Sequence, residues 1–282
     1  MPVSEMITDS AVIKGSKIDS ALRETELIAS AGIILSSLEY LCQPSEFEGK
    51  GGLLSWELWR TRYRWASGEK AKHLDRLFKP PGVHALIGLR LAAATITVTP
   101  GVNPRAKALA TAYLAVTNLV LQIRNSYGMD GSDHMNGMVY SALAVARAFP
   151  KDQRIKEIAT LFIAAQSCLS YLSAGAAKLV SPFWRDGTAI QGIFRTRSFG
   201  QRHLSKLLRK YPVLATAGGW ATVLGEMLFP LVMVANKPTA RALLGTGTAF
   251  HIGNALFMGL NRFVWAFGAT YPSIAYHAKS LG

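Results

Sequence analysis

Lys178 is the residue of this sequence whose type and setting are best suited to chemistry. It lies near the end of the small, apolar run YLSAGAAKLV over residues 171–180, and the chain then breaks at Ser181-Pro182 into the turn WRDG. An ammonium group in an apolar setting must reach water, pair with an opposite charge or lose its proton, because desolvation lowers the pKa of a lysine. Lys178 is therefore either a catalytic base or a snorkelling anchor at the end of a membrane helix.

Three further polar residues occupy apolar helical patterns. His134 opens a helix after the turn MDGSD, where Ser132 or Asp133 suits the N-cap position. His251 and Asn254 are three residues apart in FHIGNALFM, so they share one helix face that points into a bundle. Each of the three is either a hydrogen-bonding residue that holds helices together or part of a site.

The composition is typical of a helical membrane protein. Half of the 282 residues are hydrophobic and only 17% are charged, and the mean hydropathy is positive. The net charge is +14, but the basic residues cluster between apolar runs, where they set topology and contact anionic lipid. Nucleic acid is therefore not an expected partner. Cys42 and Cys168 form no CxxC pattern, so neither a disulfide framework nor a metal site is indicated.

The apolar runs predict an all-α fold, a polytopic membrane bundle of about seven transmembrane helices in one domain over residues 1–282. Residues 1–23 form a polar N-terminal segment that lacks the apolar core of a signal peptide. The predicted spans are 24–43, 83–102, 106–123, 134–149, 157–180, 212–236 and 240–264.

Two connecting segments, 44–82 and 181–211, mix aromatic with basic residues, as in WELWRTRYRW. This pattern predicts amphipathic interfacial elements around residues 55–78 and 184–210. An even number of predicted spans separates the two loops, which places them on the same side of the membrane. They contain eight and seven Lys/Arg residues, so the positive-inside bias favours the cytoplasmic face of a bacterial-type plasma membrane.

Three charged residues are predicted at membrane depth. Arg90 lies in the middle of the second span, Glu226 comes just before a Phe-Pro kink, and Glu39 lies in the first span. Each is costly in an apolar environment when it is alone. We therefore expect Arg90, Glu226 and Glu39 to form a structural polar network.

The order of four motifs points to a known family. The sequence contains YGMDGSDHM, then YLSAGAAKLVSPFWRDG, then GEMLFP, then FHIGNALFMGLNRFVWAF. In this order and at these separations they resemble the HTTM domain, the membrane portion of the vitamin K-dependent gamma-carboxylase family, over residues 24–275. The most specific pieces are AAKL followed by WRDG, and FHxxN followed by a phenylalanine-rich run.

The resemblance implies a role for each candidate residue. Lys178 would be the base that deprotonates a reduced quinone of the vitamin K type, with O2 and CO2 as co-reactants, and His134 would contribute to the carboxylation chemistry. His251 and Asn254 would line the cofactor cavity, and Trp184 would flank the quinone ring. The implied function is a membrane enzyme that modifies a peptide or a small acid.

One departure from the family keeps a second function open. After residue 275 the sequence shows no counterpart of the large soluble domain with which animal carboxylases hold a propeptide, so processive glutamate carboxylation is not expected. The alternative is a non-catalytic membrane partner in the maturation of, or immunity to, a small secreted peptide. Convergence of Lys178, His134, His251 and Asn254 on one point would favour the enzyme.

Overall fold

The computed structural model describes residues 3–49, 52–66, 69–125 and 129–281, without the side chains of residues 3–14 and 69–71. These ranges contain helices, turns and irregular segments and no β-strand, which confirms the all-α prediction. Residues 50, 51, 67 and 68 of the predicted segment 44–82, and Tyr127 and Gly128 of the motif YGMDGSDHM, lie outside the described residues.

The chain divides into two compact units, Met1–Ala159 and Thr160–Gly282, which we call the first and second units. The boundary falls within one long helix. The helices of the first unit are α1 (Val3–Cys42), α2 (Trp56–Trp59), α3 (Glu69–Phe78), α4 (Gly82–Val98), α5 (Pro104–Arg124), α6 (Gly131–Ala148) and the first residues of α7 (Gln153–Val180).

The helices of the first unit follow the predicted spans but begin before them. α1 is helical from Val3 onward, so the predicted polar N-terminal segment is continuous with the first span. α6 begins at Gly131 because the Asp130 carboxylate accepts the backbone N–H groups of Ser132 and Asp133. The N-cap is therefore Asp130, and the residues predicted for that role lie in the first turn.

Hydrogen bonds between buried side chains connect α1, α4 and α6. The Ser30 hydroxyl lies 2.7 Å from the Thr97 hydroxyl and 2.8 Å from the Tyr140 hydroxyl. All three residues are fully buried. Polar groups at this depth must be hydrogen-bonded, so this triad fixes the three helices against one another.

The hydrogen-bond partners of Arg90 differ from those of the predicted polar network. Its guanidinium donates to the Thr117 hydroxyl at 2.8 Å and to the Asn118 side-chain oxygen at 3.2 Å, both on α5. The predicted partners were Glu226 and Glu39. Glu39 is half-buried near the end of α1. Neutral oxygens on the neighbouring helix accept two hydrogen bonds from this buried arginine, so helix α4 is held to α5.

The predicted interfacial segment 44–82 folds partly inward. It forms short helices instead of one amphipathic helix, and Trp56 is 1% exposed, with its indole N–H donating to Asp75 at 2.9 Å. Trp65, by contrast, is 50% exposed. The aromatic residues therefore divide between the core of the first unit and its surface, because an indole buries well once its N–H has a partner.

Arg124 holds this segment in place. It is fully buried at the end of α5 and donates to the carbonyl of Phe78 at 3.1 and 3.0 Å, and to the carbonyl of Leu54. Its guanidinium also lies 4.8 Å from the centroid of the Phe47 ring. A planar fork of donors suits two carbonyl groups at once, whereas a single ammonium does not.

The second unit contains the rest of α7, seven further α-helices and the 3₁₀ helix Phe229–Met233 within its described residues. Its last predicted span, 240–264, ends early because Gly259 adopts a left-handed conformation with φ of 73° and caps the helix. The helices are α8 (Pro182–Arg185), α9 (Thr188–Ile193), α10 (Arg202–Lys210), α11 (Pro212–Leu228), α12 (Lys237–Met258), α13 (Asn261–Gly268) and α14 (Tyr271–His277).

Three helices within the described residues are long and apolar enough to cross a membrane: Gly15–Cys42 of α1, α5 and α7. A fourth span results if the pair Lys72–Phe78 and Gly82–Val98, bent by 51°, counts as one. Seven spans are not shown. α4 and α11 have 17 residues each, which rise about 26 Å and stop short of a ~30 Å hydrocarbon core.

Replacement of Arg124 tests its structural role. We expect Arg124→Ala to lower the free energy of unfolding by about 3 kcal/mol or more, because buried carbonyls of Phe78 and Leu54 lose their donor. Arg124→Lys should recover only part of this loss. The measurement is unfolding in mixed micelles, with exposed Arg154→Ala as the control. Equal stability of Arg124→Ala and Arg154→Ala would contradict the role.

Candidate functional site

The centre of the candidate site is an ion pair between α7 and α11. The Lys178 ammonium lies 2.9 and 2.7 Å from the two carboxylate oxygens of Glu226. The side chains of Lys178 and Glu226 are 20% and 8% exposed. Glu226 was predicted to pair with Arg90, and the structure corrects this: its partner is Lys178, which the sequence predicted as a catalytic base or a membrane anchor.

A glycine permits the approach that forms this pair. Gly175 lies one helical turn before Lys178, and a Cβ atom built on it would lie 2.9 Å from the Met227 nitrogen and 3.0 Å from the Glu226 Cβ. Any larger residue would separate the two helices. The small residues of this run therefore bring α7 and α11 close together, as in other tightly packed apolar helices.

The turn WRDG is fixed against the start of α11. Gly187 has a φ of 85°, which favours glycine, and a Cβ there would lie 2.4 Å from the Thr216 nitrogen. The Thr216 hydroxyl donates to the carbonyl of Asp186 at 2.8 Å. The Thr188 hydroxyl and backbone N–H also donate to the Asp186 carboxylate and hold its pKa below the usual range. The turn is therefore positioned by contacts on both sides.

Trp184 lies beside the ammonium group of the Lys178–Glu226 ion pair. Its ring centroid lies 5.2 Å from the Lys178 ammonium, within the range of a cation–π contact. A Cβ on Gly219 would lie 2.3 Å from the Trp184 carbonyl oxygen, so this glycine lets α11 pack against the turn. Trp184 and Lys178 are therefore neighbours, with the aromatic ring beside the ammonium group.

A second polar group lies deeper in the same unit. The Tyr171 hydroxyl is 2.6 Å from His251 Nε2 and 2.9 Å from the Tyr271 hydroxyl. His251 is 4% exposed, and its Nδ1 has no hydrogen-bond partner among the described residues. The Phe267 ring stacks on His251 with centroids 4.6 Å apart. This cluster joins α7, α12 and α14 through one tyrosine hydroxyl.

A cavity of about 60 Å³ is lined by one residue of each polar group, Glu226 and Tyr171. Lys178, His251 and Asn254 do not line it. A volume of this size holds a few water-sized molecules, since one water needs about 10–15 Å³ on this measure. A quinone ring does not fit inside. Its full lining is Tyr171, Ala221, Thr222, Gly225, Glu226, Phe229, Leu243, Thr246, Gly247 and Phe250.

The predicted site residues thus fall into separate groups. Lys178 and Trp184 are neighbours, and His251 is hydrogen-bonded to Tyr171 on the helix of Lys178. Asn254 is half-buried on α12. His134 belongs to the first unit, where it is exposed in the first turn of α6. Its predicted convergence with Lys178 stays a prediction.

Tyr171 was not among the predicted site residues, although the sequence contained a signal for it. It precedes Lys178 by seven residues in an apolar helix, so the two side chains share a face. A polar tip on that face needs a partner. No group of three or more His, Cys, Asp or Glu residues suited to a metal ion occurs within the described residues.

Comparison with known proteins identifies no relative: no protein-family model, curated protein or solved structure matches the chain.

Substitution of Gly175 tests the close contact between α7 and α11. We expect Gly175→Ala to lower the unfolding midpoint, because its Cβ meets backbone and Cβ atoms that cannot move aside easily. The control is Gly245→Ala in α12, where nothing lies within 4 Å of the added Cβ. That change should be neutral or stabilising, by up to about 1 kcal/mol. Equal effects of the two substitutions would argue against the contact.

A double-mutant cycle tests the ion pair. Lys178→Met leaves Glu226 as a buried carboxylate without its counter-ion, and we expect a loss of about 3 kcal/mol in the free energy of unfolding. Lys178→Met combined with Glu226→Met should cost clearly less than the sum of the single changes, because neither charge is then left alone. Simple additivity in mixed-micelle unfolding would show that the two side chains do not interact.

Proposed function

We propose that this chain is an integral membrane enzyme that removes a proton from a weakly acidic hydroxyl group of a quinol-type lipid. One observation carries the proposal: the Lys178 ammonium contacts both oxygens of a buried carboxylate and is still 20% exposed at its outer edge. A charged pair in this setting can exchange a proton internally and meet a substrate from outside.

The two residues have different roles in this reaction. Glu226 accepts the ammonium proton of Lys178 along the existing hydrogen bond, which leaves a neutral amine and a neutral carboxylic acid. The amine then takes the proton of the substrate hydroxyl: the O–H bond breaks, an N–H bond forms, and the electron pair stays on the substrate oxygen. The restored ammonium lies beside that oxyanion and stabilises it. The net result is one proton on Glu226.

The surroundings of Lys178 suit a lipid substrate. Because the cavity behind Glu226 is too small for a quinone ring, the ring has to approach from the exposed edge, where Trp184 lies. Val180 and Phe183 are 76% and 64% exposed on either side of the break between α7 and α8. Exposed apolar side chains at this position favour contact with lipid and with an isoprenoid tail.

The product and the second substrate follow from the motif resemblance. In the HTTM-like scheme the deprotonated quinol reacts with O2, and a peptide or small acid is carboxylated with CO2. His134, His251 and Asn254 are proposed to assist this chemistry by analogy. Supporting evidence within the chain is the bond of His251 to Tyr171, which borders the same cavity as Glu226.

The proposed topology has seven spans. Each predicted span overlaps a helix of at least 17 residues, and the 3₁₀ helix Phe229–Met233 extends α11. The basic loops 44–82 and 181–211 are proposed to face the cytoplasm of a bacterial-type cell by the positive-inside bias.

Exchange of Lys178 for arginine tests the function. The assay uses purified protein in nanodiscs with reduced phylloquinone and O2, and mass spectrometry detects the quinone epoxide formed together with water. We expect turnover by the wild-type protein and its loss in Lys178→Arg, because a guanidinium stays protonated up to pH ~12 and cannot relay a proton near neutral pH. Glu226→Gln should also be inactive, because no group then stores the proton.

The control is Lys206→Arg, which makes the same exchange at an exposed residue of α10. It should retain full activity, and all variants should elute as folded protein. Methylamine should restore part of the activity of Lys178→Ala. Full activity of Lys178→Arg, or no epoxide from the wild-type protein, would contradict the proposal and favour the non-catalytic membrane partner.

A further inference from the structure

A separate pocket in the first unit has features of an anion site. It has a volume of about 380 Å³, within the range of about 300–1,000 Å³ typical of small-molecule sites. Four basic and two acidic side chains line it, so two positive charges are in excess. The charged residues are Asp19, Arg23, Glu26, Arg105, Arg147 and Lys156.

A buried carboxylate arranges two of the arginines. Glu26 is 1% exposed and accepts from Arg147 Nε at 2.7 Å and from Arg147 Nη2. It also accepts from Arg23 Nη1 at 2.8 Å. Arg23 donates further to the carbonyls of Thr97 and Val98 at the end of α4. Both guanidinium groups are therefore held in fixed orientations by contacts at their inner edges.

Two arginines that line the pocket, Arg105 and Arg147, have hydrogen-bond donors without an acceptor in the described part of the chain. Arg147 Nη1 has no hydrogen-bond partner among the described residues, and neither does the guanidinium of Arg105, which is exposed in the first turn of α5. Lys156 already pairs with Asp19 at 2.7 Å. Arg105 and Arg147 thus each have a planar guanidinium group with unused donors, and such groups bind phosphate oxygens in pairs.

The other lining residues are apolar, and the pocket lies where helices end. α6 ends at Ala148 and the candidate span α5 begins at Pro104, both of which line the pocket. In a membrane protein this is the level of the lipid headgroups, where guanidinium groups can contact phosphate groups. The apolar part of the wall consists of Leu22, Pro104, Ala108, Leu143, Ala146, Ala148 and Pro150.

We propose that this pocket binds a phosphate group through Arg105 and Arg147. Its charge excess and guanidinium geometry fit a phosphate ester, and its apolar wall fits the acyl chain of an anionic phospholipid. A soluble phosphate would use the same donors without that wall, so the two sources can be separated by experiment.

The test is native mass spectrometry of the delipidated full-length protein titrated with phosphatidylglycerol. We expect one tightly bound lipid and about ten-fold weaker binding in Arg105→Ala, which removes charge-assisted hydrogen bonds to the phosphate. The matched control is Arg154→Ala, which removes the same charge from an exposed residue that does not line the pocket. It should bind like the wild-type protein, and phosphatidylcholine should bind weakly to all three.

A second titration of the same variants uses inorganic phosphate in place of the lipid. If inorganic phosphate binds with the same dependence on Arg105 while phosphatidylglycerol does not distinguish the variants, the pocket is a phosphate site with a soluble ligand. If Arg105→Ala and Arg154→Ala bind both probes as the wild-type protein does, the proposal is overturned.

Discussion

The ion pair of Lys178 and Glu226 is the interaction on which the candidate site depends. Neither charge is stable alone at this burial, because the desolvation of one ion costs several kcal/mol. The pair in turn requires helices that approach closely, which explains why Gly175 faces the backbone of α11. Trp184 then borders the ammonium from the following turn. Helix packing and ion pairing are therefore coupled in the second unit: Gly175, which permits the helix contact, also permits the ion pair.

In the first unit, buried charged side chains are stabilised in two other ways. Glu26 is buried among basic side chains, so its charge is balanced by Arg23 and Arg147. Arg124 is also fully buried, but its donors go to backbone carbonyls and to the Asn125 side chain. Both arrangements satisfy the rule that buried charges are paired or fully hydrogen-bonded. Only the arginines of the first arrangement line the described pocket, and this difference separates Arg124 as a structural arginine from Arg147 as a candidate binding residue.

Hydropathy and charge predicted the positions of the helices more accurately than they predicted the contacts between helices. The seven apolar runs each contain a helix, because local composition determines where the backbone must satisfy its own hydrogen bonds. The partners of Arg90 and Glu226 were predicted wrongly, since pairing depends on which helix faces turn toward each other, and spacing along one helix does not determine this. Trp184 beside Lys178 was predictable because only five residues separate the two. Tyr171 could have been found from its shared face with Lys178, whereas Glu226 as the partner required the packing of α7 on α11.

Nitrogen-15 NMR of lysine-labelled protein in nanodiscs tests the ion pair most directly. The Lys178 signal, assigned from its loss in Lys178→Arg, should exchange with water more slowly than the signals of exposed lysines, because Glu226 holds the ammonium. Glu226→Gln should abolish this protection and shift the signal. An Lys178 signal that exchanges as fast as that of Lys206, and that Glu226→Gln leaves unchanged, would contradict the pair and the proton-transfer site built on it.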